Sequence, residues 1–191
     1  VGRNKSKAES LAHALQHPRP NLSIKALGFD INKSLDQALK DWKPAVVIHT
    51  CGPFQGQDFA VLKACIKYKV HYIDLADGRE FVNGIRHFDK EAQSAGITAV
   101  TGASTVPALS SAVLSHFQAQ GMVSFDEVKY GVSPGQKTDR GLATAQAVLS
   151  YIGQPIKTPQ GHNHGWQNLY LQEYPEISNR LMGNCEVPDL D

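Results

Sequence analysis

Residues 44–76 read PAVVIHTCGPFQGQDFAVLKACIKYKVHYIDLA, and the rest of the chain is arranged around this stretch. Residues 45–48 form a short apolar run with no polar alternation. Such a run predicts a strand buried on both faces, as in a parallel sheet covered by helices. The run breaks at Thr50, Cys51, Gly52, Pro53, Phe54, Gln55 and Gly56. Gly52 tolerates a positive φ, and Pro53 fixes its own φ and lacks an N–H donor. A helical pattern over 58–68 then sets Phe59, Leu62, Cys65 and Ile66 on one face, and a second strand is predicted at 72–75. The whole is one βαβ unit of roughly thirty residues, the usual size of a right-handed crossover. Ligands of open α/β sheets bind beyond the carboxyl ends of the strands. Residues 50–54 and 76–80 are therefore expected on the functional edge.

Working outward, Val1-Gly2-Arg3-Asn4 reads as the end of a strand, with Asn4 placed to cap a helix over 5–16. Ala8, Leu11, Ala12 and Leu15 give that helix its apolar spacing. The prolines at 18 and 20 end it. A strand is predicted over 22–27, ending at Gly28-Phe29-Asp30, and a helix over 34–42. Beyond the central unit follow a long helix over 80–95 with Gly96 as its C′ residue, a strand over 97–101, and a helix over 107–119. Leu109, Ala112, Val113, His116 and Phe117 are expected to face inward from that last helix. The alternation of strand and helix argues a parallel sheet.

The style changes after Gly121. Val128, Tyr130 and Val132 alternate as in a half-exposed antiparallel strand over 127–132. A polar loop, a helix over 142–152, and a loop or irregular hairpin over 153–165 follow, and the remainder has weak periodicity. The domain division is read as 1–121, a Rossmann-like part, and 122–191, part of an α+β substrate or dimerisation domain.

The 191 residues suffice for a sizeable core. With 19 basic against 18 acidic residues, no strong field points to nucleic acid or to an anionic membrane. Mean hydropathy is −0.30, and no apolar run approaches the ~20 residues of a membrane span. Three widely spaced cysteines fit neither a disulfide framework nor a zinc site and suit a reducing cytosol, so a cytoplasmic location is expected.

Several stretches resemble the saccharopine dehydrogenase-like NAD(P)-dependent oxidoreductases. They are Gly2-Arg3-Asn4 before a helix, Cys51-Gly52-Pro53-Phe54, Val61-Leu62-Lys63-Ala64-Cys65, Tyr72-Ile73-Asp74-Leu75-Ala76-Asp77-Gly78, residues 102–109, and Arg140-Gly141-Leu142-Ala143-Thr144. The likeness covers most of the chain to about Ile156 and rests on the order and spacing of these motifs together. Its main departure is an absence: no G-x-G-x-x-G phosphate loop occurs anywhere in the 191 residues. The expectation is thus an internal fragment of a longer oxidoreductase. The fold class is α/β, a Rossmann-like mostly parallel sheet without its first strand and Gly-rich loop, followed by part of an α+β domain.

The position of Arg3 at the end of a second Rossmann strand is where the adenosine ribose is read. An arginine there suits a 2′-phosphate, and Lys7 one turn on adds charge, so NADP(H) is favoured over NAD(H). Arg3 equally reads as a solvated arginine at a helix start. By resemblance to the family Asp30 would accept from the adenine amino group; equally it reads as a charge serving its own helix N-terminus. By resemblance Cys51, Gly52, Pro53 and Phe54 run along the cofactor near the nicotinamide. Cys51 has no neighbouring base or cation in sequence to make it a nucleophile. Asp77 and Arg79, just past a strand end, are the candidates to orient substrate or relay a proton, whereas Glu80 suits the first turn of its helix. Ser104 and Thr105 either face the same edge or cap a helix. Arg140, with Thr144 in the first turn of the following helix, reads either as an anion site for a carboxylate or phosphate or as an exposed loop arginine. His162 and His164 lack carboxylate or cysteine companions at ligand spacing, so no metal is expected. His49 and His71 read as packed, hydrogen-bonded residues. The function implied is hydride transfer between NADP(H) and a small substrate, an imine or amino-acid-like adduct among the candidates. The alternative is a non-catalytic Rossmann-like nucleotide-binding or regulatory scaffold. A small-molecule substrate is the expected partner, with a homodimer left open, and neither nucleic acid nor membrane is expected.

Overall fold

Asn4 opens the first helix, its side chain accepting the Lys7 N–H at 3.0 Å to start α1, Lys5–Gln16. Asp30 does the same for α2, Ile31–Trp42, accepting from the Asn32 N–H at 3.0 Å. In both cases a short polar side chain satisfies an N–H that the helix itself leaves open. The computed structural model describes residues 1–16, 21–133, 137, 141–158 and 161–186.

Three strands, β1 (Val46–His49), β2 (His71–Asp74) and β3 (Ala99–Val100), form a sheet in the order β1-β2-β3. The His71 N–H reaches Ala45 O and the Leu75 N–H reaches His49 O, so both chains advance together by four residues and the pairing is parallel. Likewise the Tyr72 N–H reaches Thr98 O and the Ala103 N–H reaches Asp74 O. Between β1 and β2 runs α3, Ala60–Tyr68, which buries Val61, Leu62, Ala64 and Cys65 and packs against α2. The Rossmann-like α/β fold expected from residues 44–76 is present.

The chain divides into two compact units. One comprises Val1–Val47, Phe59–Tyr72 and Glu91–Thr98; the other comprises Ile48–Asp58, Ile73–Lys90 and Ala99–Asp191. The first unit's core is Leu39, Leu62, Cys65, Val70, Tyr72 and their neighbours. Burial pushes the Cys65 thiol up to about 12, as befits a packed, unreactive cysteine. In this unit a Cβ on Gly28 would lie 2.6 Å from Lys5 Cβ, so only glycine lets α1 approach there. The second unit's core holds His49, Phe54, Asp74, Ala76, Phe81, Val106 and Ile156.

Strand β1 is not buried on both faces: Val46 is 43% and Ile48 61% exposed, while His49 is 4% exposed. Alternate residues of a strand face opposite ways, and among the described residues only one face of β1 is covered. No strand forms over 22–27. The segment makes a single parallel bridge, Gly2 to Gly28, with the Gly2 N–H on Leu27 O and the Phe29 N–H on Gly2 O. One bridge holds a chain extended without giving it a ladder.

The long helix over 80–95 is three pieces: α4 (Arg79–Gly84), a 3₁₀ turn (Ile85–Phe88) and α5 (Asp89–Ala95). Gly84, a poor helix former, stands at the break. Gly96 does end α5, at φ +71. The strand predicted over 97–101 shortens to β3. The helix over 107–119 is a π turn (Thr105–Leu109) followed by α6 (Ser110–Ala119). Its apolar residues do not face inward: Leu109, Val113 and Phe117 are 57%, 44% and 42% exposed, because no described element covers that side. Residues 127–132 find no ladder partner among the described residues and form no strand.

Helix α7 is Leu142–Ser150. The hairpin reading of 153–165 holds: β4 (Pro155–Thr158) and β5 (Gly161–His164) pair antiparallel. A second hairpin, β6 (Tyr170–Tyr174) with β7 (Ile177–Met182), was not anticipated. Its two-residue loop, Pro175-Glu176, has Glu176 at φ 66. Proline followed by a positive-φ residue is the signature of a type II turn.

Candidate functional site

Asp74 organises the carboxyl edge of the sheet in the second unit. It is fully buried, and its Oδ1 accepts three donors: the Ala76 N–H at 2.9 Å, the Gly102 N–H at 2.8 Å and the Thr101 hydroxyl at 3.0 Å. One carboxylate oxygen thus fixes where the chain leaves both β2 and β3. Gly102 sits there at φ +68, and a Cβ on it would meet Pro107 Cδ at 2.7 Å. Beside Asp74, burial lowers the affinity of His49 for its proton, and the Asp74 charge partly offsets this.

The loop after β1 carries Cys51, Gly52, Pro53 and Phe54. Phe54 is 5% exposed, its ring 5.2 Å from that of His49 and 5.3 Å from that of Phe81. Its ring therefore anchors the loop in the core and leaves the backbone of 51–53 at the edge. The Cys51 side chain is exposed, and its carbonyl accepts from Gln57 Nε2 at 3.1 Å.

The anchor fixes the next residue, Gln55. Its Nε2 donates to Asp77 Oδ1 at 3.2 Å and to Tyr151 Oη at 2.9 Å. Burial raises the Tyr151 hydroxyl, Gln55 pulls it down through their hydrogen bond, and the charges of Asp77, Glu186 and Cys185 add to the rise. Arg79, the first residue of α4, pairs with Glu186 at 2.8 Å, with the two side chains 15% and 21% exposed. Burial also raises the Cys185 thiol. The expected pair Asp77 and Arg79 thus share one unit with Gln55, Tyr151 and Glu186. Those three were not singled out from sequence. Tyr151 lies 96 positions from Gln55, and Glu186 lies 107 from Arg79, so no local spacing signals them.

Of the residues expected to meet substrate, Ser104 is half-buried and precedes the π turn without a side-chain cap bond. Thr144 is exposed in the first turn of α7, and Arg140 lies outside the described residues. His71 Nδ1 accepts the Thr98 N–H at 2.9 Å, so the expected hydrogen bond is present, but the residue is exposed rather than packed, standing on the uncovered side at the start of β2. The first unit holds the other group. Gly2 sits in the bridge to Gly28, and Arg3 and Lys7 are exposed at the start of α1. Asn4 and Asp30 are engaged as helix caps.

A parallel sheet with a βαβ crossover of the usual size defines a Rossmann-like α/β domain. A family model, the saccharopine dehydrogenase NADP binding domain, matches residues 1–100. The chain belongs to this family, and its cofactor is NADP(H). No curated protein matches the chain. The donor set suits that cofactor: the exposed cations of Arg3 and Lys7 match the charge that distinguishes NADP(H) from NAD(H). No helix among the described residues is long and apolar enough to cross a membrane.

Proposed function

We propose that the protein is an oxidoreductase that moves hydride between NADP(H) and a small substrate bearing a C=N or C=O group. The observation that carries this reading is the polar cluster Gln55, Asp77, Tyr151, Arg79 and Glu186 at the carboxyl edge of the sheet, in a family that binds NADP. When bound, NADP(H) supplies the hydride, and the chain supplies positioning and proton handling. Arg3 and Lys7 hold the 2′-phosphate, with Asp30 toward the adenine. Gly52 and the backbone of 51–53 accompany the nicotinamide portion. Asp77 and Arg79 orient the substrate, and Ser104, Arg140 and Thr144 contribute to its binding. An imine or amino-acid-like adduct fits a site with both an acidic and a basic side chain. Residues 1–121 form the Rossmann-like, cofactor-binding part, and residues 122–191 belong to a substrate or dimerisation domain that completes the site. A cytoplasmic setting accords with three free cysteines.

The test is steady-state oxidation of NADPH by the purified full-length protein, offered a panel of aldehydes and of 2-keto acids with and without amines. Sustained turnover with at least one member is expected. NADPH binding without turnover across the panel would favour a nucleotide-binding scaffold instead.

A further inference from the structure

The chemistry just proposed leaves one requirement open. A C=N or C=O group that receives hydride at carbon must receive a proton at its heteroatom. Asp77 Oδ1 is an acceptor from Gln55, and Arg79 is paired with Glu186. The Tyr151 hydroxyl differs from both. Its oxygen accepts the Gln55 amide N–H at 2.9 Å, which leaves its own O–H to be donated elsewhere.

Three features hold that hydroxyl in place. Gln55 follows Phe54, whose ring is locked between His49 and Phe81. Asp77 decides which end of the amide faces the tyrosine, because the reversed amide would set its oxygen against the carboxylate, acceptor to acceptor. Tyr151 itself closes α7, its backbone N–H bonded to Leu149 O.

We propose that Tyr151 is the proton donor to the substrate heteroatom during reduction, with Gln55 as the residue that positions it. The inference rests on the hydride-transfer reading above. In the step, the C=X π bond breaks, a C–H bond forms with the hydride and its electron pair, and an X–H bond forms with the Tyr151 proton. NADPH becomes NADP⁺, and the phenolate left on Tyr151 recovers a proton from water. The charged and titratable groups around the hydroxyl are Asp77, Glu186 with its partner Arg79, and Cys185. Burial and the acidic neighbours keep the hydroxyl protonated in the neutral range, as a donor requires.

The test compares wild type, Tyr151→Phe and Gln55→Leu, each checked for a native-like melt. NADPH binding is followed by fluorescence titration, and turnover of the best member of the carbonyl and imine panel is followed against pH. NADPH affinity should be unchanged in both variants. Tyr151→Phe should lose about 100-fold or more in kcat. Gln55→Leu should lose less and move the alkaline limb of reduction to higher pH, because the lost hydrogen bond held the tyrosine's affinity for its proton down. A purely structural role would not move that limb. Normal NADPH binding with Tyr151→Phe turning over within about twofold of wild type overturns the tyrosine's role alone. So does an unmoved limb in Gln55→Leu. Failure of wild type to bind NADPH or to oxidise it with any panel member overturns the hydride-transfer reading, and this role with it.

Discussion

The Gly102 N–H points into the buried carboxylate of Asp74 at 2.8 Å, tying the exit of one strand to the exit of its neighbour across 28 positions of chain. The same oxygen takes the Ala76 N–H and the Thr101 hydroxyl. Asp74→Ala strands two buried backbone donors, each worth about 1–3 kcal/mol when left unsatisfied, and removes the acceptor of the half-buried Thr101 hydroxyl. The expected loss is about 3 kcal/mol or more, read from the urea midpoint at constant m-value. A loss under about 1 kcal/mol would mean that the strand ends are held by something else.

Gly102 is the second half of that junction. At φ +68, with Pro107 Cδ 2.7 Å from where a Cβ would stand, it has neither the conformation nor the room for a side chain. Gly102→Ala should destabilise by about 2 kcal/mol or more. Thermal melts of the variant against wild type check this. Gly121, also at positive φ but with open space around its Cβ position, should be the milder site for the same substitution.

His49 gives stability a pH dependence of determinate sign. Burial holds its folded pKa below the ordinary 6.5, with Asp74 offsetting part of the effect. Above 6.5 both folded and unfolded histidine are neutral and nothing is lost. As pH falls below 6.5 the unfolded state takes up the proton first, so stability declines toward the depressed folded value. Urea midpoints measured between about pH 7.5 and about pH 5 should fall for wild type and fall less for His49→Asn. Parallel declines would remove His49 as the cause.

The Arg79–Glu186 pair is mostly shielded, at 15% and 21% exposure, so it should count for more than a surface pair. A double-mutant cycle with Arg79→Ala and Glu186→Gln should give a coupling of about 1–2 kcal/mol. A coupling near zero would mean that this pair contributes nothing to the stability of the fold.

The α/β core was legible because residues 44–76 carry their own grammar: an apolar run, a Gly-Pro loop, and a helix with Leu62 and Cys65 on one face. Helix starts at Asn4 and Asp30 were equally local, each a cap bonding two or three residues ahead. Burial was less legible. The apolar run over 45–48 and the stripe on α6 say which residues are greasy, not which faces find cover, and Ile48 and Leu109 stay exposed. The β6–β7 hairpin escaped notice because most of its side chains are exposed on both faces, so no alternation marks it, and a Pro-Glu turn sets its register. Of the site, Asp77 and Arg79 stood out as residues past a strand end. Gln55, Tyr151 and Glu186 could not, since only the folded chain brings them to the same edge.

The proposed grip on the 2′-phosphate of NADP(H) is Arg3. Its measurement is a fluorescence titration of the full-length protein with NADPH and with NADH, for wild type and Arg3→Ala. Loss of a charge-assisted contact to the 2′-phosphate should weaken NADPH by about tenfold or more and leave NADH unchanged. Equal weakening of both nucleotides, or NADPH binding indifferent to Arg3→Ala, would contradict it.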